Sequence, residues 1–456
     1  MNPGKVNVTL QEHLTDIIRR PAGAPERARA ALHLVDWLGC ALAGSTSEPY
    51  RIARAVFAGS RGAAPLIGGG RASRQDAAYL NGIPGNVLEM DDIHRRAILH
   101  PGPTVMPAVL AALDRDTPPG LLLDSIVRGY EAVIRIGRAL GPAHYAMFHN
   151  TATAGPFGAV AGAACMLGLD RAALVAALGN AGTVAAGLWQ CRHEPVMTKQ
   201  LHCAHAAQAG YLAAALARGG FSGPKSLLDG RQGFFAALCK DGDPPAVVSG
   251  SDGDWLIHEV SFKPWPACRH AHPVIDAVRL AKPRIGKRRI TAIAIETYRD
   301  AITFCDRPDP KSVIDAKFSL QHAAAVALLR ETPVLADFDP PAITDRKLAT
   351  LRALTLVKAA EPFAGRYPGR FGAGVEISLA DGDRVAAHVD DALGDPENPL
   401  AETALIAKAR TLMTFAGVSP GAAARLIKAT LGLPTARTAA PFRSAISTAL
   451  TNTTEH

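Results

Sequence analysis

The sequence predicts a mainly α-helical protein made of a large all-helical domain and a smaller α+β domain. Three observations carry this expectation. Alanine-rich apolar positions recur at helical spacing over roughly the first 260 residues, β-favouring residues take over beyond Lys263, and helical spacing resumes from Pro399. The corresponding spans are residues 1–264, 265–396 and 397–456, the last returning to the helical domain. A length of 456 residues fits two domains better than a single core.

Pro25 and Gly44 bracket the first helix, in which Ala28, Leu32, Val35 and Leu42 share a face. Proline suits the first turn of a helix and glycine its end. Further helices are expected over 104–114, 121–139, 154–168, 171–189 and 202–219, with no strand in this part. Strands follow at Ile290–Tyr298 and Leu351–Lys358. Val375, Ile377 and Leu379 then alternate with polar neighbours before an Asp381-Gly382 turn and a return strand ending near Val389. Between the strands, Asp309-Pro310 opens a helix running to about Arg330, an acid followed by proline being a favourable start. Leu400, Leu405, Ile406, Leu412 and Met413 restore the helical pattern before Gly417, and the tail after about Ala439 is expected to be loose.

Composition narrows the function. With 48% hydrophobic, 20% charged and 5% aromatic residues the chain is globular, and its many small side chains imply closely packed helices. The formal charge of +8 suits an anionic ligand, but the basic residues are scattered and no nucleic-acid motif occurs, so a nucleic-acid partner is not expected. Seven cysteines without a C-x-x-C pair argue against a disulfide framework or a zinc knuckle and favour a reducing cytoplasm. The N-terminus lacks a signal-peptide pattern. The uncharged stretch Thr151–Leu169 contains Gly155, Pro156, Gly158 and Gly162, which favours a buried helix over a membrane span. Phosphate-cradling and dinucleotide glycine motifs and the G-x-S-x-G elbow do not occur, so no cofactor is expected.

Five constellations could carry chemistry. In LEMDDIHRRAILHPGP, residues 88–103, Glu89, Asp91 and Asp92 lie close to His94 and His100. Acids coupled to imidazoles can tune proton transfer, although a solvated helix end would look the same; no metal spacing is present. In FHNTATAGPFG, His149 precedes a helix start, where it is either an acid–base group or a helix-junction filler. MTKQLHCAHAAQAG carries Lys199, His202, Cys203 and His205; the lysine can meet a carboxylate or simply snorkel. FKPWPACRHAHPVIDA places Lys263 and Arg269 near the domain boundary, as cations of a ligand site or of a rigid hinge. AKFSLQHAAA adds His322, which by itself reads as a core histidine.

Taken in order, NGIPGNVLEMDD with HPGP, HNTATAGPFGA, TKQLHCAHAA, FKPWPACRHAHPVIDA and KFSLQH resemble the MmgE/PrpD family over about residues 28 to 415. That family includes 2-methylcitrate dehydratase, cis-aconitate decarboxylase and iminodisuccinate epimerase. The resemblance implies a homodimer, a large helical domain with a smaller α+β lid, an active-site cleft between the domains and no cofactor. Positions matching the family's site are Glu89, Asp91, His100, His149, Lys199, Lys263 and His322. The decarboxylase carries aspartate, threonine and tyrosine where this chain has Glu89, Ile93 and His322, which makes decarboxylation the least expected of the three reactions. The expected function is a lyase that abstracts a proton beside a carboxylate of a small polycarboxylate, dehydrating a 2-methylcitrate-like hydroxy acid. An epimerase of an imino- or amino-dicarboxylate and a silent binding protein are the alternatives. Lys199, Lys263 and Arg269 would neutralise substrate carboxylates, while His149 or His100, oriented by Asp91 or Glu89, would move the proton.

Overall fold

The computed structural model describes residues 8–194 and 196–451, which fall into two compact units. The first takes the chain up to Val87, then Asp91–Val260 and everything described from Glu402 onward. The second comprises Ser261–Ala401 together with Leu88–Met90. This short insertion, carrying Glu89, was not anticipated by any boundary read from the sequence.

Small residues dictate the packing of the first unit. At its centre the helix Asn150–Met166 packs against both Pro119–Arg138 and Thr198–Arg218. A Cβ added to Gly210 would stand 2.4 Å from the Ala159 methyl, so the backbones approach more closely than larger residues allow. Asn150–Ala164 is buried on every side, as its continuous small apolar sequence requires. Pro25 lies in the first turn of the helix Ala24–Gly44. Against that helix lies Glu402–Phe415, where Lys408 forms a buried 2.6 Å ion pair with Asp36.

Several expectations need correction. A two-stranded antiparallel pair, Ala64–Pro65 with Arg71–Ala72, interrupts the supposedly strand-free part. The helix expected over 171–189 ends at Thr183 and is followed by a short 3-10 turn, Trp189–His193. The tail expected to be loose is helical over Ala440–Thr451, with Phe442 fully buried in the first unit's core, while its residues 452–456 lie outside the described residues. Phe442→Ala is therefore expected to cost about 3 kcal/mol in urea denaturation, as for other buried aromatics. A change within experimental error would restore the loose-tail expectation.

The second unit is built on a four-stranded sheet in the order Thr355–Ala359, Ile290–Thr297, Ala373–Leu379, Arg384–Val389. Only the first pair is parallel, with Ile293 opposite Thr355, while Ile295 faces Val375 across an antiparallel pair. Ile293, Ile295, Val375 and Ile377 share a core with the helices His272–Ile285 and Leu320–Leu329. The expected strand at Leu351 begins only at Thr355, because Asp345 caps a helix running over Arg346–Ala353. Likewise the single helix expected over 309–330 is two, Val313–Lys317 and Leu320–Leu329. Ser312 and Ser319 each accept a backbone N–H and start a separate helix, a local competition that the apolar periodicity does not reveal.

Candidate active site

In the first unit, residues 91–102 fold into a tight loop closed by the His94 N–H donating to the Leu99 carbonyl at 2.9 Å. Asp92 ties this loop to two helices. Its carboxylate accepts from Tyr130 Oη at 2.6 Å, His33 Nδ1 at 2.8 Å and the Gly102 N–H at 3.0 Å. Three donors on one buried carboxylate satisfy an ion that would otherwise be costly to bury. The loop then delivers His100, whose Nδ1 lies 2.9 Å from both Asp91 Oδ2 and the Asp92 carbonyl. Asn86 also donates to Asp91 Oδ2, at 2.7 Å, and the His100 N–H donates to Thr151 Oγ1 at 3.0 Å. With Nδ1 directed at these oxygens, an uncharged His100 carries its lone pair on Nε2.

His149 sits just before the helix Asn150–Met166, and its N–H donates to the Gly187 carbonyl at 2.9 Å. Its ring lies 4.4 Å from the Trp189 ring, and its Nδ1 is 3.3 Å from His202 Nδ1. Burial pushes the imidazole well below its ordinary proton affinity, and the neighbouring Lys199, His202 and His100 push the same way against Asp91. His149 is thus uncharged at neutral pH, as a base must be. His202, on the helix Thr198–Arg218 beside Lys199, is lowered to about 4 by burial, then by His205 and Lys199. Asp91, His100, His149 and Lys199, distant in sequence, therefore form one electrostatic cluster within the first unit.

Within the second unit, Glu89 occupies the left-handed region with φ 56°, rare for a side chain of its kind. Lys317 Nζ holds the adjoining Leu88 carbonyl at 3.0 Å, and Lys263 Nζ lies 3.4 Å from Glu89 Oε2. The Lys263 and Glu89 side chains are 0% and 2% exposed, so each is the other's buried counter-charge.

Arg269, expected to bind substrate, spends its guanidinium inside the fold. It pairs with the fully buried Asp395 and donates to the Leu393 and Ala392 carbonyls at 3.2 and 3.3 Å. His322, expected among the catalytic residues, is likewise engaged at both nitrogens: Nε2 donates to the Asp337 carbonyl at 2.8 Å and Nδ1 accepts from Arg352 at 3.2 Å. An imidazole so committed has no nitrogen left for proton exchange with a substrate. Among the described residues no group of three His, Cys, Asp or Glu side chains is placed to hold a metal ion, and no helix is long and apolar enough to cross a membrane.

Two family models cover most of the sequence: the MmgE/PrpD N-terminal domain over residues 18–246 and the C-terminal domain over 265–433. The chain belongs to the MmgE/PrpD family. This MmgE/PrpD protein is 28% identical over 428 residues to a cis-aconitate decarboxylase of Aspergillus terreus, a match covering 86% of this chain and 85% of the relative. Human cis-aconitate decarboxylase is 30% identical over 348 residues, covering 70% of this chain and 67% of that one. A cis-aconitate decarboxylase-like protein of Aspergillus oryzae is 27% identical over 415 residues, with 84% and 85% covered.

Sequence reasoning assigned no role to several residues that build this part of the first unit. Asp92 stood within the acidic motif, but its partners His33 and Tyr130 lie 59 and 38 positions away and carry no local signal. Trp189 was equally silent. His33 also makes a pH prediction. Burial lowers it from 6.5 to about 4, outweighing the Asp92 carboxylate. As pH falls from 6.5 towards 4 the unfolded chain takes up a proton that the folded chain refuses, so stability present above 6.5 is lost, by at most about 1.4 kcal/mol per pH unit. Urea denaturation at pH 7 and pH 5 should show a smaller acid loss in His33→Asn, whose amide still donates to Asp92. Equal losses in both proteins would refute this.

Proposed function

We propose that this MmgE/PrpD protein is a lyase moving a proton at a carbon beside a carboxylate of a small polycarboxylate, with dehydration of a 2-methylcitrate-like hydroxy acid as its reaction. One observation carries the reading: an uncharged buried histidine, His149, clusters with a carboxylate-backed histidine, His100, and a lysine, Lys199. A proton beside a carboxylate leaves only when the growing negative charge is stabilised, which is the work assigned to Lys199. His149 takes the proton. His100 returns one to the departing hydroxyl, and Asp91 balances the imidazolium charge. Lys263 is assigned to its buried pair with Glu89, and Arg269 and His322 to holding their own segments of the fold. The reading takes the protein to be a cytoplasmic homodimer working without a cofactor.

Similarity to proteins named cis-aconitate decarboxylase supports a second reading within the lyases. Loss of carbon dioxide leaves a carbanion at the same kind of carbon, and a protonated histidine can quench it. The glutamate at position 89 and histidine at 322 favour dehydration, since the resemblance places aspartate and tyrosine there in the decarboxylase. An NMR screen in D2O over citrate, 2-methylcitrate, cis-aconitate and iminodisuccinate separates the outcomes. Loss of water supports dehydration, loss of carbon dioxide the second reading, and deuterium uptake without either an epimerase. Silence with every compound would overturn the proton-transfer proposal.

A further inference from the structure

We propose that His202 is a positioning residue that decides which nitrogen of His149 carries the proton, by accepting a hydrogen bond from His149 Nδ1. The inference rests on the proposed role of His149 as the base, and it assigns a task to a residue that makes no claim on the substrate itself. The two Nδ1 atoms are 3.3 Å apart, and the ring centroids 5.4 Å, with both side chains largely buried. Two uncharged imidazoles facing each other through Nδ1 can share only one proton: one ring donates and the other accepts. If His149 donates, its lone pair lies on Nε2, the atom left to act as a base. If His202 donates, His149 carries its proton on Nε2 and cannot start the reaction.

The surroundings favour the first arrangement. Only that arrangement leaves a lone pair on His149 Nε2, as its proposed role as base requires, and at 3.3 Å His202 Nδ1 is within reach to accept. Trp189 covers one face of His149 at 4.4 Å and restrains rotation. The charged and titratable neighbours are Lys199 and His205 on the helix of His202, and His100 and Asp91 on the loop. A carboxylate in place of His202 would orient the ring equally well but would stabilise the imidazolium and draw a proton onto the base from solvent. A neutral partner orients without that cost.

The test reads the tautomer directly, in protein labelled with ring-15N histidine, with the His149 signals assigned by their loss in His149→Gln. The wild type should show a protonated Nδ1 and an unprotonated Nε2 on His149. His202→Asn, whose side-chain oxygen falls near the original Nδ1, should retain that pattern. His202→Phe, which keeps a ring but has no acceptor, should give a mixture of tautomers and a kcat lowered about 10- to 100-fold at unchanged KM, the usual effect of losing a group that orients a functional histidine. A wild-type His149 protonated on Nε2, or an unaltered tautomer in His202→Phe, would overturn the inference. Should His202→Phe fail to fold, loss of the Nδ1 proton in a folded His202→Asn does the same. If the tautomers behave as expected while turnover is unaffected in every variant, it is the role of His149 as base that fails.

Discussion

His149→Ala is expected to lower kcat by about 10² to 10⁴, the share that a positioned general base supplies. The direction follows from the state of the ring. Burial, reinforced by Lys199, His202 and His100, keeps the imidazole unprotonated, so nearly all of the enzyme population is competent to take a proton at neutral pH. Substrate affinity should change far less, because the cation assigned to a carboxylate, Lys199, is untouched. Steady-state kinetics on the compound identified by the NMR screen provide the measurement. A variant turning over at the wild-type rate would remove His149 from the mechanism, and a raised KM with unchanged kcat would make it a binding residue instead. A pH–rate profile adds a check: with the base so depressed, activity should not fall off through the ordinary histidine range on account of His149.

Lys263→Met is expected to have the largest effect on stability, about 3 to 5 kcal/mol, because it removes one charge of a buried ion pair and leaves the Glu89 carboxylate without that counter-charge. Burying two opposite charges together is tolerable. Burying one is not. The double replacement Glu89→Gln with Lys263→Met should recover much of the lost stability, since neither charge then remains. Urea denaturation of the two variants measures this, and equal destabilisation of single and double variants would mean that the pair is not coupled. Activity separates this pairing from the expected role in binding: if Lys263 also received a substrate carboxylate, the double variant would be stable but impaired in both KM and kcat. A stable and fully active double variant would leave Lys263 and Glu89 as a purely structural pair.

Much of the architecture was legible because it depends on local periodicity. Gly and Ala at helical spacing demand close-packed helices, and alternation around Asp381-Gly382 demands a hairpin, which the strands Ala373–Leu379 and Arg384–Val389 form. What failed were boundaries set by side chains rather than by periodicity. Ser312, Ser319 and Asp345 each capture backbone N–H groups and begin new helices, and Phe442 orders the tail by finding a core formed elsewhere in the chain.

For the site, the sequence by itself determined the supply of chemistry: which acids, histidines and lysines are available, and that they recur in the order of one family. Only the tertiary structure decided how each is spent. Asp395 claims Arg269, Asp337 and Arg352 claim His322, and Glu89 claims Lys263, whereas His149 is left uncharged beside His202 and Lys199. The reason is that a buried charge or ring nitrogen must find its partner wherever the chain's packing brings one, and partners 30 to 174 residues distant, such as Arg352 for His322 or Glu89 for Lys263, leave no mark on local spacing.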